Sequence, residues 1–311
     1  MSNTSPAGPD CRRVPTRLVR PDGPFDLALT LTPLRRGPRD VATQVARDWV
    51  ARATRTPDGP ATVLMTQVPS GVEVQAWGPG AEWALEHAPA TLGLIGARPE
   101  IVAPHPVVST LLERFAGLRV PRSLAVMEAM VPSILEQKVT GIEAHDSYRR
   151  LVLRHGEPAP GPLGLYLPPS PHRLAALPYY EFHPLGVERK RAETIRRACS
   201  VAARLEETAR LDPTSAEQRL TAIPGIGPWT AAEVARVALG DADAVSLGDY
   251  NLPHLVSWVL AGERRGSDDR MLELLEPYAG QRGRVARILE IAGPRPPRRG
   301  PRHRLRHIER I

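Results

Sequence analysis

From Phe25 to Leu34 the chain reads FDLALTLTPL, with Leu27, Leu29 and Leu31 on one face and Ala28, Thr30 and Thr32 on the other. Such period-two alternation predicts a strand. Trp49 to Thr56 alternates too. The turn PDGP leads into a further strand, ATVLMTQ, and PSG into another, Val72 to Trp77. Strands joined by such short turns predict an antiparallel meander. GAEWALEHAPATLGL then reads as a helix.

After ARPEIVAPHP the period changes. Val126, Met130 and Ile134 fall on one helical line, with Met127, Val131 and Leu135 beside it. Pro132 should kink that helix or lie close to its start. GIEAHDSYRRLVLRHG predicts a helix stopped by Gly156. A Pro- and Gly-rich loop is expected from Glu157 to Pro171. One long helix is expected over GVERKRAETIRRACSVAARLEE, its apolar stripe being Ile195, Ala198, Cys199, Ala202 and Leu205. Ser215 and Gln218 are spaced as a capping box for the next helix. Further helices are expected from Pro228, over DYNLPHLVSWVLAG and SDDRMLELLEPY, and from Gln281 to Ala292. The expected fold is thus an α+β N-terminal domain, an antiparallel sheet plus helix, followed by an all-α domain. Residues 1–20 read as a disordered segment, 21–104 as the sheet domain, 105–293 as the helical domain and 294–311 as an Arg/Pro-rich tail. No tandem repeat of 20–50 residues is evident.

The 311 residues are enough for about two domains with a sizeable core. The net charge of +7 favours a polyanionic partner, nucleic acid or an anionic membrane surface, although a GC-rich genome also enriches arginine. Two cysteines, Cys11 and Cys199, allow neither a disulfide framework nor a four-cysteine zinc or iron–sulfur site. Cys199 falls on an apolar helix face and reads as a core residue. The N-terminus lacks the apolar region of a signal peptide, and no apolar run has the length of a membrane helix, which predicts a cytoplasmic chain with no membrane partner.

The segment TAIPGIGPWTAAEVA, Thr221 to Ala235, sets two glycines and two prolines between helices. Pro228 suits a first helical turn, and Ala231, Val234, Ala235 and Ala238 form an apolar stripe behind it. The glycines can take positive φ and leave backbone bare at a helix N-terminus, where free N–H groups suit phosphate oxygens. Alone, the motif is better explained by a plain glycine turn between two helices. No strand precedes it as in a dinucleotide fold, and no Gly-Lys-Ser/Thr follows as in a P-loop. Asp249, in VSLGDYNLPHLV, stands where a helix N-cap is expected.

Taken together, LTAIPGIGPWTA, VSLGDYNLPHLV, SILEQKVTG and HPLGVERKRAETIRRA resemble, in this collinear arrangement, the helix-hairpin-helix DNA glycosylase superfamily. The strand-rich N-terminal unit is similar to that of 3-methyladenine DNA glycosylase II, the AlkA type. The resemblance covers roughly residues 20 to 293 and makes 105–293 the glycosylase domain, with its hairpin at 221–229. It implies base excision repair: hydrolysis of the N-glycosidic bond of alkylated purines in duplex DNA, by a nucleoid-associated monomer without a cofactor. Asp249 would be the carboxylate that stabilises the oxocarbenium-like sugar. Trp229 stands where members that cleave the strand carry a Schiff-base lysine, which implies hydrolysis alone. The base pocket would involve Trp229, Glu233, Tyr250 and Gln281. Glu233 replaces a tyrosine of the AlkA pattern, and Gln281-Arg282 fall near its other pocket tryptophan. Tyr250 and Trp258 are candidates to compensate.

By the same resemblance, Gln137 and Lys138 would fill the space left by an extruded nucleotide. Gly225, Ile226, Gly227 and Thr230 would grip the backbone, with Lys190, Arg191, Arg282 and Arg284 as phosphate contacts. The carbonyls of Thr221, Ile223 and Ile226 would hold a monovalent cation when DNA is bound, with no permanent metal. A non-catalytic damaged-DNA-binding protein and a glycosylase for oxidised or deaminated bases stay open beside this reading.

Overall fold

The computed structural model describes residues 14–96, 101, 103–297 and 308. Cys11, most of the first twenty residues and most of the Arg/Pro-rich tail lie outside these. Five antiparallel strands form the sheet: β1 (Thr16–Val19), β2 (Thr43–Val45), β3 (Trp49–Thr56), β4 (Gly59–Val68) and β5 (Gly71–Trp77), in the order β1-β5-β4-β3-β2. The two predicted turns close the β3–β4 and β4–β5 hairpins, with Thr56 opposite Gly59 and Val68 opposite Gly71. Alternation works as expected in β5, where Val72, Val74 and Ala76 are buried.

Two N-terminal expectations are corrected. Thr16–Val19, placed in a disordered segment, pairs with Val72–Gln75 as the sheet's edge strand. The alternating run after Phe25 is the helix α1 (Leu27–Leu31), continued by a 3₁₀ turn, and not a strand. The Asp26 carboxylate accepts from Leu29 N–H at 2.8 Å and caps the helix. Leu27, Thr30 and Leu31 are its buried residues, a helical i, i+3, i+4 set that the alternation of leucines hid.

Two short helices follow, α2 (Ala81–Glu86) and α3 (Ala88–Thr91), in place of one. Then come α4 (Pro106–Arg114), α5 (Val126–Leu135) and α6 (Gly141–His155). Pro132 sits well inside α5, where Ser133 Oγ also bonds back to the Ala129 carbonyl at 2.8 Å. The expected Pro/Gly loop contains a small ribbon, β6 (Glu157–Pro158) with β7 (Tyr166–Leu167). After α7 (Pro171–Ala176) and α8 (Tyr179–Phe182), the expected long helix is broken: α9 (Arg189–Ser200) ends at Val201 and α10 (Ala202–Glu206) starts anew. The break lets Glu206 reach the N-terminus of α5, where its two carboxylate oxygens accept from Val126 N–H (2.8 Å) and Met127 N–H (2.9 Å). The helix α11 (Pro213–Thr221) is capped by Asp212, which accepts from Ser215 N–H at 3.0 Å, and not by the expected Ser215/Gln218 box.

The hairpin's second helix, α12 (Pro228–Val234), widens into a π-turn at Ala235–Leu239. The carbonyls of Val237 and Ala238 there accept from Ser123 N–H (3.1 Å) and Leu124 N–H (3.0 Å), on the segment entering α5. The chain ends with α13 (Leu252–Ala261), α14 (Asp268–Leu275) and α15 (Arg282–Ala292). One core runs from the inner face of the sheet through α5, α9 and the hairpin. A second joins α4, α13, α14 and α15. Cys199 is in the first, and burial pushes its thiol up to about 12. Among the described residues no helix is long and apolar enough to cross a membrane.

The Glu206 cap carries a pH prediction. Burial, reinforced by the neighbouring Glu128 charge, raises its pKa from 4.5 to about 6 despite the two N–H donors. The folded state therefore holds this proton more tightly than the unfolded state. Its stabilisation is fully present below pH 4.5 and is lost as pH rises through 6, a change of about 2 kcal/mol. Urea titrations of the wild type and Glu206→Gln from pH 4.5 to 7.5 should diverge by that slope. Parallel curves would show that Glu206 titrates alike in both states.

Candidate functional site

Between α11 and α12 the chain turns on Pro224-Gly225-Ile226-Gly227. Gly225 has φ +100°, and a Cβ there would meet Thr194 Oγ1 at 2.4 Å, so this position needs glycine on both counts. The expectation of positive φ fails at Gly227, whose φ of −106° any residue adopts and around which a Cβ would meet open space. Gly227 is thus bare towards solvent while its backbone leads straight into α12, with Pro228 in the first turn as expected. Ile226 contributes differently from expectation: its side chain is buried, and its N–H closes the turn on the Ile223 carbonyl at 2.9 Å. Among the described residues no protein acceptor lies on the N–H of Gly225 or Gly227. Those two amides, at a helix N-terminus, are what an anionic oxygen would meet. Of the three carbonyls expected to hold a cation, that of Ile223 already accepts from Ile226 N–H and keeps a second lone pair.

Gly225→Ala should lower stability by about 1–3 kcal/mol through its φ and the Thr194 clash. Gly227→Ala should leave stability within about 0.5 kcal/mol. Denaturant titration checks both. Equal losses would mean that the turn is shaped by something other than Gly225.

Asp249 lies at the centre of the arrangement. Its Oδ1 accepts from Asn251 N–H (2.7 Å) and Leu252 N–H (2.8 Å), capping α13 from two residues before the helix's own N-cap position, Asn251. Its Oδ2 accepts from the Trp229 indole N–H at 3.1 Å. Capping and a site role are therefore compatible: one oxygen fixes the carboxylate and the other faces the hairpin. Trp229 is half-buried on the face of α12 that also carries Glu233 at i+4, and Arg236 follows in the π-turn. Glu233 accepts from the buried Ser246 hydroxyl at 2.5 Å and forms a two-oxygen pair with Arg236 at 2.7 and 2.9 Å. Arg236 in turn reaches Glu290 at 3.6 Å. Glu233, expected in the base pocket, thus has its charge already matched by Arg236. Ser246 and Arg236 were not foreseen; a serine three residues before Asp249 carries no motif.

The loop after α5 meets the hairpin. Gln137 Nε2 donates to the Gly225 carbonyl (3.1 Å) and to Thr230 Oγ1 (2.9 Å). Lys138 is exposed beside it at φ +57°, a left-handed conformation uncommon for a residue with a side chain.

Several expected contacts fall elsewhere. Thr230 is buried, and its hydroxyl serves Gln137, not the surface. Arg191 is 2% exposed and donates to the Leu135 carbonyl at 2.7 Å, tying α9 to the end of α5. Arg282 is neutralised by Asp243, with Nε 2.9 Å from Oδ1. Arg284 is buried beside Gln281, 3.5 Å from its Oε1. Tyr250 points outward, 74% exposed, and Trp258 packs on the second core. Of the four expected phosphate contacts, only Lys190 is exposed. Arg197, not foreseen, donates to the Pro224 carbonyl at 3.1 Å and braces the turn.

No protein-family model matches the chain. It is 32% identical over 161 residues to a probable bifunctional transcriptional activator/DNA repair enzyme AlkA of Mycobacterium tuberculosis, covering 49% of this chain and 31% of that protein. It is 26% identical over 178 residues to the putative DNA-3-methyladenine glycosylase YfjP of Bacillus subtilis, covering 55% and 61%. The matches thus span less than two thirds of either relative. Among solved structures, a 3-methyladenine DNA glycosylase from Archaeoglobus fulgidus superposes with a TM-score of 0.71 at 20% identity, over 88% of this chain and 97% of that one. An 8-oxoguanine glycosylase/lyase from Clostridium acetobutylicum bound to DNA gives 0.59 at 13% identity, over 79% and 95%. The resemblance read from the four sequence segments is borne out by relatives of that name, and the fold is that of these glycosylases.

Proposed function

We propose, from the helix-hairpin-helix glycosylase fold and the AlkA-type kinship, that this chain hydrolyses the N-glycosidic bond of alkylated purines in duplex DNA. The observation that carries this reading is the Asp249 carboxylate, fixed by two backbone N–H groups and one indole N–H beside a hairpin with two bare amides. The amides of Gly225 and Gly227 bind a backbone phosphate without reading sequence. That contact sets the register of the damaged strand, and the target nucleotide leaves the stack. As the glycosidic bond lengthens, the sugar gains positive charge at C1′ and the base takes the bonding electrons. Asp249 stabilises that charge through a carboxylate whose orientation is settled beforehand, so little reorganisation is needed. Water then adds to C1′ and releases a proton to solvent, and an abasic site remains. An alkylated purine carries positive charge before it leaves, which lowers the demand on a general acid and suits an aromatic wall such as Trp229.

Trp229 has no amine, so no Schiff base forms at that position and strand cleavage is not part of the reaction. The carbonyls of Thr221, Ile223 and Ile226 would hold a monovalent cation, which supplies positive charge beside the phosphate.

The test is base release from duplexes bearing single lesions, alkylated, oxidised and deaminated, read by mass, with borohydride present in a parallel arm. Free alkylated purine and no covalent adduct are expected. Binding without release from any lesion would make the chain a damage-binding protein, and a trapped adduct would remove the claim of hydrolysis alone.

A further inference from the structure

We propose that Glu136 and Arg36 are positioning residues for the loop at Gln137–Thr140, so that the sheet unit helps to set the geometry of nucleotide extrusion. The inference rests on the reading that this loop faces duplex DNA.

Glu136 and Gln137 are consecutive, directly after α5, yet their side chains anchor to different parts of the molecule. Gln137 bonds the hairpin, at Gly225 and Thr230. Glu136 Oε1 accepts from Arg36 Nη1 at 3.4 Å, and Arg36 belongs to the segment between α1 and β2. His145 Nε2, on α6, lies 3.8 Å from the same Glu136 oxygen. One carboxylate therefore touches a group from the sheet unit and a group from the helix that follows the loop. It joins the loop's entry to its exit.

Each anchor is itself held. Arg36 is buried, and its backbone N–H donates to Asp40 Oδ2 at 2.6 Å. The other oxygen of Asp40 accepts from Ala42 N–H (2.8 Å) and Thr43 N–H (3.2 Å), fixing the segment to β2. Next to Arg36, Gly37 packs so closely on His145 that a Cβ would meet the ring at 2.7 Å. At the loop's far end Thr140 and Glu143 form a reciprocal capping box for α6. Between these clamps stands Lys138 at φ +57°. A left-handed residue with a side chain persists only where its surroundings over-determine it. Glu136, two residues before it, and Thr140, two residues after it, are the anchored positions on either side. Releasing Glu136 frees the loop's entry from both α6 and the sheet unit while leaving the bonds of Gln137 to the hairpin.

The test uses the full chain and compares wild type, Glu136→Gln, Arg36→Met and the double variant. Three quantities are read: the single-turnover rate of base release from alkylated duplex, duplex affinity, and the fluorescence of 2-aminopurine next to the target, which reports unstacking. Each single variant should slow release by about 5- to 30-fold, and the double variant should be no slower than the worse single one. Affinity should stay within about threefold, because the hairpin amides and the backbone charge are untouched. Wild-type rates and aminopurine signals in Glu136→Gln would overturn the proposal. So would strictly multiplicative losses in the double variant, since the two residues would then act separately. The aminopurine arm reads extrusion without chemistry. A wild type that unstacks DNA but releases no base would sink the hydrolysis reading and still leave this proposal open to the same comparison.

Discussion

Asp249→Asn is expected to lower the single-turnover rate of base release by about 10²–10³-fold, the scale seen when one preorganised electrostatic group is removed from a transition state. Duplex affinity should change little, because the hairpin amides are untouched. The geometry makes the substitution more than a loss of charge. The amide oxygen of asparagine can keep the two N–H bonds from Asn251 and Leu252. Its NH₂ then faces the Trp229 indole N–H, donor against donor, where Oδ2 had accepted at 3.1 Å. The α13 cap should survive, so thermal stability should fall only slightly. Base release at the wild-type rate would remove Asp249 from the chemistry.

Trp229→Phe is expected to slow release by about 10- to 150-fold while keeping an aromatic face. A hydrogen bond to a charged group contributes about 1.5–3 kcal/mol, and each 1.36 kcal/mol is tenfold in rate. Phenylalanine cannot donate to Asp249, so the comparison separates orientation of the carboxylate from stacking on the base. A loss confined to KM would assign Trp229 to the base alone. A loss in the single-turnover rate at saturating enzyme would assign it to Asp249. Trp229→Ala, which removes both, should be the slower variant.

What was legible in the sequence follows from how local each signal is. The β3–β4–β5 meander was readable because its turns are short and its alternation long. The hairpin and Asp249 stood out because glycine, proline and a capping aspartate act within a few residues of themselves. Thr16–Val19 escaped because an edge strand with one buried residue in four carries almost no hydrophobic pattern. The stretch after Phe25 misled because five residues satisfy two periods at once, and only the Asp26 cap and burial decide between them. Arg191 was misplaced because its composition suggests a surface, whereas its guanidinium finds the Leu135 carbonyl 56 residues away in sequence. The bond between Trp229 and Asp249 spans 20 residues and depends on how α12 and α13 meet, which no spacing encodes.

The π-turn at Ala235–Leu239 has a consequence for anyone altering this chain's length. A π-turn carries one residue more than the α-helical turn it replaces, and deleting that residue would restore regular winding. Here the spare residue is in use, because the widened turn offers the carbonyls of Val237 and Ala238 to the approach of α5. Excising it would draw the turn back to α-helical pitch and move the carbonyls that it now splays outward. Trp229, upstream, would keep its place, while the docking of Ser123 and Leu124 would be lost. The helix behaves as a keyed shaft, with the Trp229 bond to Asp249 at one end and the seat of its neighbour at the other. Grafting the hairpin and Asp249 into another scaffold therefore requires carrying the irregular turn along with them.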